Sequence, residues 1–180
     1  MNTQEINELG RRLISGDLAF VGVYAADTFI ETLDFSNQST LAYIVNTEQL
    51  TSDGHHWVAI IQEPGARFEF FDPLGHGPWH YAHLNLFNSV AFNSHALQNP
   101  LTNTSAHICL LYLYFRSHGY SFQYAIRWFR TLFIDFGSLT NGVYVIITAL
   151  KLNYRIPIHS LEQLYENIQS SVAPLCVCLH

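Results

Sequence analysis

An imidazole, a carboxylate, an amide and a hydroxyl stand at positions 56, 72, 98 and 105, and these are side-chain types from which acyl-transfer sites are built. His56 precedes the run WVAIIQ and Asp72 follows FEFF. With Glu63–Ala66 read as the loop between two antiparallel strands, Gln62 faces Arg67, and counting back from the turn brings His56 beside Asp72 within one residue of register. A carboxylate there would accept the Nδ1–H of the imidazole, fixing the tautomer and leaving Nε2 as the base. A His and an Asp at strand ends are also ordinary solvated turn residues, so among ten histidines the pair needs further support. His55 competes for the role of base, but its side chain is expected on the opposite face of the strand.

Further support comes from Leu97–Phe115, which reads LQNPLTNTSAHICLLYLYF: a polar, turn-rich loop running into an apolar helix that opens at Ser105. A helix N-terminus presents unpaired N–H groups and a positive dipole end, so a residue there can be held as an anion or sit beside an oxyanion. Gln98 in the same loop is placed to donate its amide to that oxyanion. Cys109 lies one turn further on in an apolar row, where a thiol behaves as a small hydrophobe with a raised pKa.

These residues must be positioned by a sheet and a buried helix. TLAYIVNT (40–47), HWVAIIQ (56–62) and ARFEFFD (66–72) are rich in β-branched and aromatic residues and are separated by turn chemistry, which predicts a three-stranded antiparallel meander. SVAFNS (89–94) reads as a further strand. Ile6, Leu9, Leu13 and Ile14 recur at helical spacing over 3–15, with Thr3 as cap and Gly16 as stop. The run 105–115 is apolar nearly all round, as a central buried helix would be, and Gly119 ends it. A second helix over 121–135 carries Phe122, Ala125, Ile126, Phe129, Leu132 and Phe133 on one face. VYVIITALKL (143–152) fits strand or helix, and the capping box at Ser160–Gln163 opens a last helix to about 171. The fold class is α+β.

At 180 residues the chain suits a single domain, 1–180, able to bury a core without crosslinks. Apolar residues make up 49% and charged residues 12%, which excludes extensive disorder, and a net charge of −6 leaves a nucleic-acid partner unsupported. No run is long enough to span a bilayer, and the N-terminus lacks a signal-peptide core. Three cysteines, two of them in the terminal Cys176-Val177-Cys178, suit reduced thiols, so an intracellular rather than secreted setting is expected. His76, His80 and His83 have a metal-like spacing, but Gly77 and Pro78 interrupt it and no Cys or carboxylate joins the set; a His-rich surface loop is expected, with no metal.

His56-Trp57 opening a strand, Phe70-Phe71-Asp72-Pro73-Leu74-Gly75 closing the next, and Gln98 seven residues before a buried helix start together resemble the adenain family, the adenovirus maturation proteases. Relatives occur in virophages and Maverick-type elements and, more distantly, among SUMO-deconjugating cysteine proteases. FVGVY and LAYIVNT fit the same pattern, so the resemblance covers roughly residues 17–116. It implies an adenain-like cysteine protease fold, an antiparallel meander packed on a buried central helix. It also implies His56 as base, Asp72 as its orienting acid, Gln98 in the oxyanion hole, Trp57 at the cleft and a nucleophile at 105. The family's helix opens Cys-Gly-x-x-Cys, whereas this one opens Ser105-Ala106-His107-Ile108-Cys109, so Cys109 matches the second, structural thiol.

A hydroxyl must be deprotonated during attack where a thiol ionises beforehand, and losing a nucleophile outright costs about 10⁶ in kcat. Ser105 therefore fits an engineered inactive variant, a naturally dead relative kept for binding, or a change to serine chemistry; the additional loss of the family's Gly at Ala106 leans toward natural divergence. The resemblance implies a cysteine endopeptidase of a virus or mobile element, maturing virion proteins by cutting an extended peptide segment of a viral structural protein, in the host cell or the virion. The alternatives are a pseudoprotease that binds a protein in the same cleft and, third, a serine hydrolase. No cofactor is expected: the peptide and DNA that assist adenain are not carried over to an acidic chain without a basic stripe.

Overall fold

The computed structural model describes residues 1–51, 56–65, 67–84, 90–98 and 100–135. The apolar runs identified above form its central strands, β2 (Thr40–Asn46), β3 (Trp57–Glu63) and β4 (Arg67–Phe71), joined as an antiparallel meander. β1 (Leu18–Ala25) adds parallel to β2, and the short β5 (Val90–Phe92) adds parallel to β4, giving a mixed five-stranded sheet in the order β1-β2-β3-β4-β5. The helices are α1 (Thr3–Leu13), a single turn α2 (Ala26–Phe29) continued by a 3-10 turn at Ile30–Thr32, α3 (Ser105–Ser117) and α4 (Phe122–Asp135). The class is α+β, with four helices among the described residues.

Both faces of the sheet are covered. Ala42, Ile44, Ala59, Ile61 and Phe71 pack against α1, α3 and α4, while Tyr43, Val45, Val58, Ile60, Phe68 and Phe70 pack with Ala26, Phe29 and Leu84 on the other side. Two-sided burial explains why β2 and β3 read as continuous apolar runs instead of alternating ones. α3 buries every residue from Ser105 to Leu113, which is why it shows no polar stripe. α4 turns Phe122, Ala125, Trp128 and Phe129 inward and leaves Ile126 partly buried.

Several boundaries differ from the sequence expectation, each for a local reason. Asn2, not Thr3, caps α1, because its side chain accepts from the Glu5 amide while the Glu5 carboxylate accepts from the Asn2 amide. The β3–β4 loop spans 64–66, one residue shorter than expected, with Gly65 at φ +80 supplying a left-handed residue. Glu63 therefore pairs with Arg67, Gln62 with Phe68 and Ala59 with Phe71. β1 was not anticipated as a strand in its own right; Gly22 interrupts its pattern and sits at a register shift against β2. His55, the segment 143–152, the helix over 160–171 and the terminal cysteines lie outside the described residues.

Candidate active site

The one-residue change in hairpin register decides how His56 and Asp72 meet. Continuing the ladder past Ala59 and Phe71 sets Asp72 opposite Val58, so the pleat carries His56, two residues before Val58, to the same face as Asp72. In the register expected from sequence, Asp72 would have shared the face of Trp57. The side chains meet at 2.6 Å, and the nitrogen facing Asp72 Oδ1 is Nε2 rather than the expected Nδ1. An ionised carboxylate only accepts, so Nε2 carries the proton and Nδ1 holds the lone pair available to a substrate or nucleophile.

Asp72 has no exposed surface, and its carboxylate is saturated with donors. Oδ1 accepts from His56 Nε2 and from the Leu74 amide at 2.7 Å; Oδ2 accepts from the His76 amide at 3.0 Å and the Tyr81 hydroxyl at 2.8 Å. Burial alone would push this carboxyl up, but the His56 hydrogen bond and charge, with the Leu74 amide and Tyr81 hydroxyl, outweigh it and hold Asp72 below its ordinary value. The main chain of Asp72 is fixed as well: its N–H donates to Asn93 Oδ1 at 2.8 Å and its carbonyl accepts from Asn93 Nδ2 at 2.6 Å. Tyr81 and Asn93 were not singled out from the sequence. Tyr81 lies in the His-rich loop and Asn93 just past the short β5, and no spacing rule ties either to residue 72.

Ser105 and Cys109, one turn apart on α3, both bind the main chain of Trp57. The Trp57 N–H donates to Ser105 Oγ at 3.2 Å, and the Cys109 thiol donates to the Trp57 carbonyl at 3.3 Å. The register puts Trp57 opposite Pro73, which has no N–H to give to the Trp57 carbonyl and whose own carbonyl is occupied by the N–H groups of Leu97 and Gln98, so both Trp57 groups turn to α3. Ser105 is 2% exposed, and among the described residues it makes no hydrogen bond with His56. Cys109 is fully buried, and desolvation followed by the nearby Asp72 charge pushes its thiol well up. The Trp57 side chain is half-buried against the helix-side core.

Gln98 is delivered by contacts that sequence reading did not foresee. Pro73 O accepts from both Leu97 N at 2.7 Å and Gln98 N at 2.9 Å, tying the 97–98 segment to the turn after Asp72. Gly75, at φ +78, makes the close approach feasible, since a Cβ there would lie 2.4 Å from the His95 carbonyl carbon. The Gln98 side chain is engaged locally through one of its two amide hydrogens. It is buried, its amide nitrogen donates to the Thr102 carbonyl at 2.5 Å, and its Oε1 has no hydrogen-bond partner among the described residues.

No family model matches this sequence, and no curated protein matches it either. The fold is similar to a solved structure, the central domain of the uncharacterized Lpg1148 protein from Legionella pneumophila. The TM-score is 0.50 with 16% identity, over 89% of this chain and 98% of that one. At that identity the likeness speaks to the fold alone.

Around this centre, His76 and His80 stack with ring centroids 4.0 Å apart, and His83 Nε2 lies 3.0 Å from Gln49 Nε2. Among the described residues no group of three or more His, Cys, Asp or Glu side chains is arranged to hold a metal ion. Nor is any described helix long and apolar enough to cross a membrane.

Proposed function

We propose that the chain carries a cysteine-endopeptidase site of the adenain type, derived from a virus or mobile element. Ser105 stands at the nucleophile position, so that as it stands the protein binds an extended peptide without thiol chemistry. The observation that carries this reading is the 2.6 Å pairing of His56 with the fully buried Asp72, in an α+β fold that sets the start of α3 against the residue after His56. A turn histidine with a merely solvated partner would not account for a carboxylate stripped of water and held by four donors.

In the thiol-bearing form, the residue-105 sulfur would give its proton to His56 Nδ1 and attack the peptide carbonyl. The oxyanion would be met by the N–H of residue 105 and by the second N–H of Gln98, the first being given to Thr102. Collapse breaks the C–N bond as His56 returns the proton to the leaving amine, and water then hydrolyses the thioester by the same route. Asp72 keeps Nε2–H in place throughout. In this chain Ser105 Oγ instead accepts from the Trp57 amide and is not bonded to the base, which disfavours serine hydrolysis.

The deciding comparison is Ser105→Cys beside the unmodified protein, assayed with a peptide library and a thiol-directed covalent probe. Turnover and labelling of residue 105 in the Cys variant alone are the expected result. Turnover in neither form overturns the protease reading and leaves a peptide-binding module. Activity in the unmodified chain that disappears in Ser105→Ala would instead establish serine chemistry.

A further inference from the structure

Among the described residues, the hydroxyl of Tyr81 donates to the buried carboxylate at 2.8 Å, closer than the His76 ring nitrogen at 3.4 Å, and the Tyr81 ring also stacks beside the imidazole. We propose that Tyr81 is a positioning residue of this site, fixing the rotation of Asp72 and thereby the alignment of His56. The proposal rests on the reading of His56 as the base.

A carboxylate turns about a broad torsion, so one well-held oxygen does not fix the direction of the other. Oδ1 serves His56 and the Leu74 amide; Oδ2 is held by the longer bond from the His76 amide and by the Tyr81 hydroxyl. The Tyr81 ring stands 6.0 Å from the His56 ring at an interplanar angle of 26°, closing one side of the imidazole. Tyr81 is itself fixed by its N–H on the Pro78 carbonyl and by its carbonyl, which accepts from Leu84 N. A purely structural aromatic here would need only the ring. The hydroxyl sits between His76 Nδ1 at 3.3 Å on one side and the Asp72 carboxylate on the other. The other ionisable groups facing the cluster are His80, whose ring lies 5.0 Å from that of Tyr81, and Cys109 on α3. With Tyr81 donating to Asp72, the half-exposed His76 ring borders both groups, its Nδ1 3.3 Å from the hydroxyl and 3.4 Å from Asp72 Oδ2.

The test is Tyr81→Phe, which keeps the ring and removes the donor, with Tyr114→Phe as control and thermal melting to verify the fold. The first readout is the His56 Nε2–H proton in ¹⁵N-histidine-labelled protein. We expect it to shift and to exchange with water roughly three- to tenfold faster in Tyr81→Phe, the change that one hydrogen bond commands. An unaltered signal overturns the proposal. 4-Aminophenylalanine at position 81 restores a donor and is expected to restore the signal; its loss there overturns the proposal too, and this variant decides the matter if Tyr81→Phe does not fold. On the Ser105→Cys background, Tyr81→Phe is expected to lower kcat roughly tenfold with KM unchanged. If Ser105→Cys shows no turnover, the protease reading fails, while the proton signal still decides the role of Tyr81.

Discussion

Asp72 concentrates the electrostatics of this protein in one side chain. Its carboxyl is held below the ordinary value by His56 and its other donors despite burial, whereas in the unfolded chain it titrates near pH ~4. Its contribution to stability is therefore full above that pH and is lost as the pH falls through the lower folded value. Urea unfolding between pH 7 and pH 3 is expected to show a loss of stability at the acid end that is largely absent in Asp72→Asn. That variant should itself be about 3 kcal/mol less stable at pH 7, because its amide nitrogen must face the N–H of either Leu74 or His76, each of which only donates. An acid slope unchanged in Asp72→Asn would remove Asp72 from this role. Cys109, in contrast, contributes as a packed thiol whose proton goes to the Trp57 carbonyl.

At the scale of elements, α3 is anchored to the sheet at both ends by polar contacts across an apolar interface. Its first turns bind Trp57 on β3, as described above. Its last turns bind β4: Arg116 Nε and a terminal nitrogen contact Glu69 at 2.8 Å each, Tyr112 donates to the same carboxylate at 2.7 Å, and Arg116 also reaches the Tyr120 carbonyl. Burial followed by the Glu69 charge and hydrogen bond pushes the Tyr112 phenol well up, so it stays a donor at any physiological pH. Breaking a buried pair strands a charge. Arg116→Met is expected to cost about 3–5 kcal/mol in chemical denaturation, and Glu69→Leu with Arg116→Met to recover most of it. A double variant as unstable as the single one would show that packing of Arg116, and not the stranded carboxylate, sets the cost.

For the whole molecule, the site lies at the ends of the interior strands β3 and β4, in a sheet with a separate apolar core on each face. β2 and β3 are flanked by strands on both sides and covered on both faces, whereas β5 has three residues and, among the described residues, a strand on one side only. Native-state hydrogen exchange should accordingly be slowest at Val58, Ile60 and Ile44, with opening energies near that of global unfolding, and markedly faster at β5. Equal protection of β5 and β3 would contradict this layering. It also implies that variants at Asp72 loosen β5 through Asn93, since that side chain bonds both the N–H and the carbonyl of Asp72.

Read by itself, the sequence determined the three central strands, the buried helix from Ser105 and the neighbourhood of His56 and Asp72, because these follow from local chemistry: apolar runs and turn residues. It also carried the inward placement of Cys109, as an apolar row dictates. What it did not determine were the choices made between distant segments. The parallel addition of β1 and β5 depends on long-range pairing that no local pattern encodes. The hairpin register turned on a single loop residue, and with it the face on which Asp72 stands. Which imidazole nitrogen meets the carboxylate, the donation of the Gln98 amide to Thr102, and the roles of Tyr81 and Asn93 were decided by tertiary structure. Each is the outcome of satisfying buried polar groups with whatever partners the packed chain brings within reach.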